Sequence, residues 1–131
     1  MNPTPTTDLT SEEDIRTLVD AFYEQVNQDE LLSPIFNDVA HVNWQHHLPN
    51  MYQFWSSVLF GTAVYKGRPF PKHFGLPVDR THFSRWMQLF TQTVDTHFTG
   101  PMAEHAKERA ISIANIFQMK MGLWATPLVK P

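Results

Sequence analysis

Apolar residues recur at helical spacing along four long stretches of this chain, with polar residues filling the positions between them. Ile15, Leu18, Val19, Phe22, Tyr23 and Val26 make the first stripe. Thr10 and Ser11 are both good N-caps for it, each followed three residues later by an acid that completes a capping box. Glu12, Glu13 and Asp14 also stand where the helix dipole favours anions. The second stripe, Trp44, His47, Leu48, Met51, Phe54, Trp55, Val58 and Leu59, is broad, and Asn43 can cap it. Pro49 lies inside this stretch and withholds one backbone N–H. The preferred reading starts the regular helix near Leu48, leaving His47 on a segment free to swing; the other bends a longer helix at Pro49. Thr81 can cap the third helix, whose apolar face is Phe83, Trp86, Met87, Phe90, Val94 and Phe98, before Gly100 stops it. Pro101 suits the first turn of the fourth, in which Ala106, Ala110, Ile113, Phe117 and Met121 form the stripe and Gly122 the stop. No stretch reads as a strand, so the expected class is all-α.

The connections carry their own signals. Asp29-Glu30-Leu31-Leu32 starts a short helical turn, and Ser33-Pro34-Ile35-Phe36-Asn37-Asp38 is a turn that delivers Ile35 and Phe36 inward. From 60 to 77 the chain carries Gly61, Gly67, Gly75, Pro69, Pro71 and Pro77, a long connection of the kind that tends to carry function. Residues 1–8 are polar and proline-rich and read as a flexible arm, residues 9–122 as one domain, and 123–131 as a short tail.

With 131 residues the chain can build one core but not two. Four Trp, three Tyr, ten Phe and six Met are more large adaptable side chains than a minimal core requires, which permits an enclosed pocket. A formal charge of -3 and the lack of a Lys/Arg run argue against nucleic acid as a partner. The absence of cysteine excludes disulfides, iron–sulfur clusters and thiolate zinc sites. No apolar run reaches membrane-spanning length and the first residues lack the pattern of a signal peptide, so the expected location is the cytoplasm, with no membrane partner.

Charge is uneven. Nine of the thirteen acids precede Ala40, whereas Lys66, Arg68, Lys72, Arg80 and Arg85, half of all Lys and Arg, lie around His73. The stretch Pro69-Phe70-Pro71-Lys72-His73-Phe74-Gly75-Leu76-Pro77 holds that histidine between prolines and aromatics. An imidazole so presented serves as a metal or haem ligand, a general base or a surface residue beside a turn. The basic collar suits haem propionates, a phosphate or a carboxylate substrate, or is a solvated loop. Tyr23 and Trp86 sit on inward faces and need partners, either a backbone carbonyl within the core or a ligand. His46 and His47 are adjacent, so only one of them faces inward; it is His47, on the side of Trp44, Met51 and Trp55.

With the helices in this order, several phrases together acquire meaning: Ala21-Phe22-Tyr23-Glu24-Gln25-Val26, Ser33-Pro34-Ile35-Phe36-Asn37, Trp44 through His47 to Phe54-Trp55, Tyr65-Lys66-Gly67-Arg68-Pro69, Lys72-His73-Phe74-Gly75-Leu76-Pro77, and Phe83 to Trp86. Their sequence resembles the third group of truncated haemoglobins over residues 9–122. The glycine motifs of the first two groups are missing, as the third group requires, and Pro49 is a departure from an ordinary distal helix. The resemblance implies a truncated globin fold, two helices over two, around haem b. It implies His73 as the proximal iron ligand, Tyr23 and Trp86 as distal donors, and His47 at the distal-helix position. Phe36 would wedge against the haem, with Met51, Phe54 and Trp55 walling the pocket. Arg68 and Lys72, close in sequence to His73, are the candidates for the propionates. The partners it implies are O₂, CO, NO or a similar small ligand, together with an electron-donor reductase. Its functions would be O₂ handling or redox detoxification of reactive nitrogen or oxygen species.

Two other classes fit the residues alone. A helical hydrolase or isomerase would use His73 or His47 as general base, although no carboxylate stands at a motif-like spacing. A haem-free interaction module would use the aromatic stripes for packing only.

Overall fold

A computed structural model describes residues 5–62 and 76–123. The readings of Lys66, Arg68, Lys72 and His73 therefore lie outside the described residues.

Four α-helices make up the frame: α1 (Glu12–Gln28), α2 (Trp44–Phe60), α3 (Arg80–His97) and α4 (Pro101–Lys120). Among the described residues there is no strand. Ser11 caps α1 through the expected box: its hydroxyl accepts the Asp14 N–H, and the Asp14 carboxylate accepts the Ser11 N–H. The first helix ends at Asp29, whose carboxylate accepts N–H bonds from Leu31 at 3.1 Å and Leu32 at 2.9 Å and receives Arg85 of α3 at 2.7 Å. Arg85 is thus committed to the corner after α1. The predicted turn after it is a π-helical segment, Pro34–Val39, which brings Ile35 and Phe36 half inside.

Two helix starts differ from expectation. The third helix begins two residues earlier, because Asp79 and not Thr81 is the cap: its carboxylate accepts the Thr81 N–H at 2.9 Å. A carboxylate outcompetes a hydroxyl here, since it also meets the positive end of the helix dipole. The second helix starts at Trp44, not near Leu48, and runs through Pro49. The His47 N–H donates to the Asn43 carbonyl at 2.8 Å, so the segment before the proline is already helical. What holds it is Trp44, whose indole N–H donates to Asn37 Oδ1 at 2.8 Å and whose ring stacks on Phe36 at 5.9 Å. That anchorage offsets the one backbone bond Pro49 cannot make. Gly61, with φ of 68°, stops α2 in the left-handed conformation open to glycine.

The α1–α2 pair packs over the α3–α4 pair, α1 against α3 and α2 against α4. The inward stripes meet in one core around Phe22, Phe90, Ile15, Leu18 and Val94, with Ala106 and Ala110 letting α4 approach closely. Outside that core, Ser56 of α2 donates to Glu12 of α1 at 2.8 Å, and the Tyr52 hydroxyl donates to Asp20, which helps push its pKa up to about 12 after the larger effect of burial.

Thr7 and Asp8, from the stretch read as an arm, make definite bonds. Gly100 at the N-cap of α4 has no side chain to offer, and Asp8 supplies one from the far end of the sequence, accepting N–H bonds from Met102 at 2.9 Å and Ala103 at 2.8 Å. A Cβ at residue 100 would lie 2.6 Å from the Asp8 side chain, so only glycine fits beneath the cap. Burial raises the Asp8 pKa, but backbone N–H groups of Met102, Leu9 and Ala103 outweigh it and hold the carboxyl below its ordinary value. Asp8→Ala is expected to cost about 0.5–2 kcal/mol of stability at neutral pH by denaturant melts. Because the folded pKa is depressed, that gap is full above the ordinary carboxylate range and closes as pH falls below about 4. A gap that stayed constant down to pH 2 would contradict the assignment.

Candidate functional site

Between the two helix pairs lies a cavity of about 410 Å³. Tyr23 of α1 contributes to it, then Leu32, Ile35, Phe36, Ala40 and Val42 of the corner, and His47, Met51, Phe54 and Trp55 of α2. Leu76 and Val78 lead into His82, Phe83 and Trp86 of α3, and Ile113, Ala114 and Phe117 close it from α4. The volume is that of a small-molecule or cofactor pocket, and the wall is mostly apolar with a few polar atoms.

Every site residue expected from the sequence that falls within the described residues stands on this one wall: Tyr23, Phe36, His47, Met51, Phe54, Trp55 and Trp86. Arg68, Lys72 and His73 lie outside the described residues. The positions follow from local structure. Tyr23 rides the apolar stripe of α1 and is only 7% exposed. Its ring is fixed by Phe22 at 4.9 Å, His47 at 5.1 Å and Trp44 at 5.3 Å. Burial alone raises the phenol's pKa far above its ordinary value, so the hydroxyl keeps its proton and remains a donor. Trp86 lies nearly parallel to Phe90 at 5.5 Å and edge-on to Phe22 at 5.5 Å, so its ring has little freedom. Trp55 stacks on the other face of this cluster, 5.0 Å from Phe90.

His47 is not on a swinging segment. It sits in the second turn of α2, edge-on to Tyr23, to Trp44 at 5.5 Å and to Phe36 at 6.5 Å. The Trp44–Asn37 bond, continued by Asn37 to Asn27 at 2.8 Å, ties this turn to the corner and to α1. His46 points outward, as its position predicts. Among the described residues no group of three or more His, Cys, Asp or Glu side chains is arranged to hold a metal ion. The residue that pattern reading missed is His82. It lies outside the apolar stripe of α3, yet it stands one turn before Trp86 and therefore on the same face.

Residues 8–122 match the family of bacterial-like globins. The chain belongs to that family. Among its relatives, the group 3 truncated haemoglobin of Campylobacter jejuni is 33% identical to this globin over 112 residues, 82% of this chain and 88% of the relative. The crystal structure of the group III truncated haemoglobin from Campylobacter jejuni superimposes with a TM-score of 0.81 at 31% identity, covering 92% of this chain and 97% of the other. The truncated oxygen-avid haemoglobin of Bacillus subtilis follows the same path with a TM-score of 0.71 at 26% identity, over 82% and 92% of the two chains. The four helices of this globin thus take the truncated globin arrangement, two over two. Membership of a globin family implies haem and a small ligand bound to it. The cavity fits such a group: a wide apolar wall for a flat macrocycle, with Tyr23, His47, His82 and Trp86 as its polar points. No described helix is long and apolar enough to cross a membrane.

Proposed function

We propose that this globin holds haem b in the cavity between its helix pairs, with His73 as the iron ligand, and binds O₂, CO or NO on the side of Tyr23 and Trp86. The observation that carries this reading is the convergence of seven residues expected from the sequence, on α1, the corner, α2 and α3, on one wall. His73 itself is tied to the cavity only through the chain: Leu76 lines it, and three residues span at most about 11 Å. Haem, when bound, supplies an iron with one position open to a small ligand.

The chain's own residues decide what happens at that position. Tyr23 and Trp86 each bring a protonated donor held by packing, at no cost of reorientation when a ligand arrives. A hydrogen bond to a charge-bearing acceptor contributes about 1.5–3 kcal/mol, so two donors suit retention of a polar ligand better than its rapid release. Phe36, Met51, Phe54 and Trp55 exclude water around them. His47, set edge-on to the Tyr23 ring, limits access from the α2 side. Arg68 and Lys72 remain the proposed partners of the propionates. These properties favour O₂ handling or redox detoxification of reactive nitrogen or oxygen species, with electrons from a reductase, in the cytoplasm.

Absorption spectroscopy tests the core of the reading. Purified protein, or apoprotein mixed with haemin, is expected to show a Soret band that moves on reduction and again on adding CO. A colourless chain that leaves added haemin unchanged would sink it, and would favour the aromatic wall as packing alone.

A further inference from the structure

His82 stands at the third residue of α3, its side chain only 17% exposed, in the wall of the cavity. Its Nδ1 is turned to the helix start. The Asp79 backbone N–H donates to that nitrogen at 3.1 Å, and Asp79 Oδ1 lies 3.1 Å from it. The first contact needs a lone pair on Nδ1, which puts the proton of a neutral ring on Nε2. If the ring carries both protons, Nδ1 donates to the Asp79 carboxylate and Nε2 is again protonated. A neutral ring protonated on Nδ1 would give up the Asp79 N–H contact for the carboxylate; the two states that keep that contact or carry both protons leave an Nε2–H donor for whatever fills the cavity. The cap also fixes the ring's orientation, as partners of a functional imidazole do.

The surroundings define what that donor would meet. Among the described residues of the cavity wall, Leu76, Val78 and Phe83, which flank it in sequence, are apolar. Arg85, the next cation along α3, is held by Asp29 at 2.7 Å. Trp86, one turn on, is the α3 donor assigned to the small ligand. A fixed N–H at the start of α3, in an otherwise apolar part of the wall, suits an acceptor at the rim of a flat apolar occupant.

We propose that His82 is a further haem-binding residue, donating from Nε2 to a carboxylate at the edge of the porphyrin. This rests on the haem reading above. It adds a contact from α3 to those proposed for Arg68 and Lys72.

Haem release separates this role from helix capping. Wild type, His82→Phe and His82→Glu are each loaded with haemin and with haemin dimethyl ester, whose edge carboxylates are blocked, and loss to an excess of an acceptor apoglobin is timed. Glutamate at this helix position is the usual capping-box partner and keeps the bond to the Asp79 N–H, while placing a negative charge where the anion would sit. Both variants are expected to lose haemin about tenfold faster than wild type, and to lose the ester within about twofold of the wild-type rate. Equal acceleration for haemin and its ester, or haemin loss as slow as wild type in both variants, would overturn the assignment while leaving haem binding intact. Failure of wild type to take up either porphyrin would remove the haem reading and this proposal together.

Discussion

Replacing His73 by glycine is expected to strip this globin of stable haem, or to leave haem that added imidazole can ligate in place of the missing side chain. The effect should be the largest of any single change. On the proposed reading this change alone removes the protein's bond to the iron, which no packing contact replaces. The assignment has three supports: the proline-bounded sequence from Pro69 to Pro77, the membership in a globin family, and the arrival of Leu76 at the cavity wall. The measurement is the ferrous and CO-bound spectrum of His73→Gly with and without imidazole. Spectra identical to wild type in both states would remove His73 from the iron.

Tyr23→Phe and Trp86→Phe are each expected to speed O₂ dissociation by about 10- to 100-fold, the equivalent of one hydrogen bond to a charge-bearing acceptor. Phenylalanine keeps the tyrosine ring, and with it the contacts to Phe22, Trp44 and His47, so the first change removes a hydroxyl and little else. At residue 86 the smaller ring still packs toward Phe90 but loses the indole N–H. If the two donors bond one ligand, the double variant should differ from the sum of the singles, as groups sharing a partner do. Stopped-flow dissociation rates for the four proteins decide the matter. Wild-type rates in both single variants would make these residues part of the packing and nothing more.

The candidate site was legible to different depths in the chain. Tyr23, Met51, Phe54, Trp55 and Trp86 could be placed because each falls on a helical stripe whose period is local. Phe36 could be placed because Pro34 and Asn37 mark the turn that carries it inward. His47 was placed on the correct face but on the wrong kind of segment. The cost of Pro49 is visible locally, whereas the Trp44–Asn37 bond that offsets it joins two elements and is visible only when both are in place. Arg85 was grouped with the basic collar on sequence distance, and the fold gives it to Asp29, 56 residues earlier. His82 carries no sequence signal of its own, because a polar residue at a helix start is ordinarily solvated.

By itself, then, the sequence determined four amphipathic helices, their order, most of their caps and an inward side for each. These depend on neighbours three or four residues apart, and the physics of periodicity and capping acts at that range. Only the tertiary structure decided what each inward side meets. Burial of apolar surface has no direction of its own, so a stripe of Leu, Phe and Trp reads alike whether it faces a closed core or a cavity. The crossing of the two pairs leaves the wall around Tyr23, His47, His82 and Trp86 facing open space and packs Phe22 and Phe90 shut behind it. The same crossing brings Asp8 to the start of α4, 94 residues away, where its carboxylate supplies the cap that Gly100 lacks.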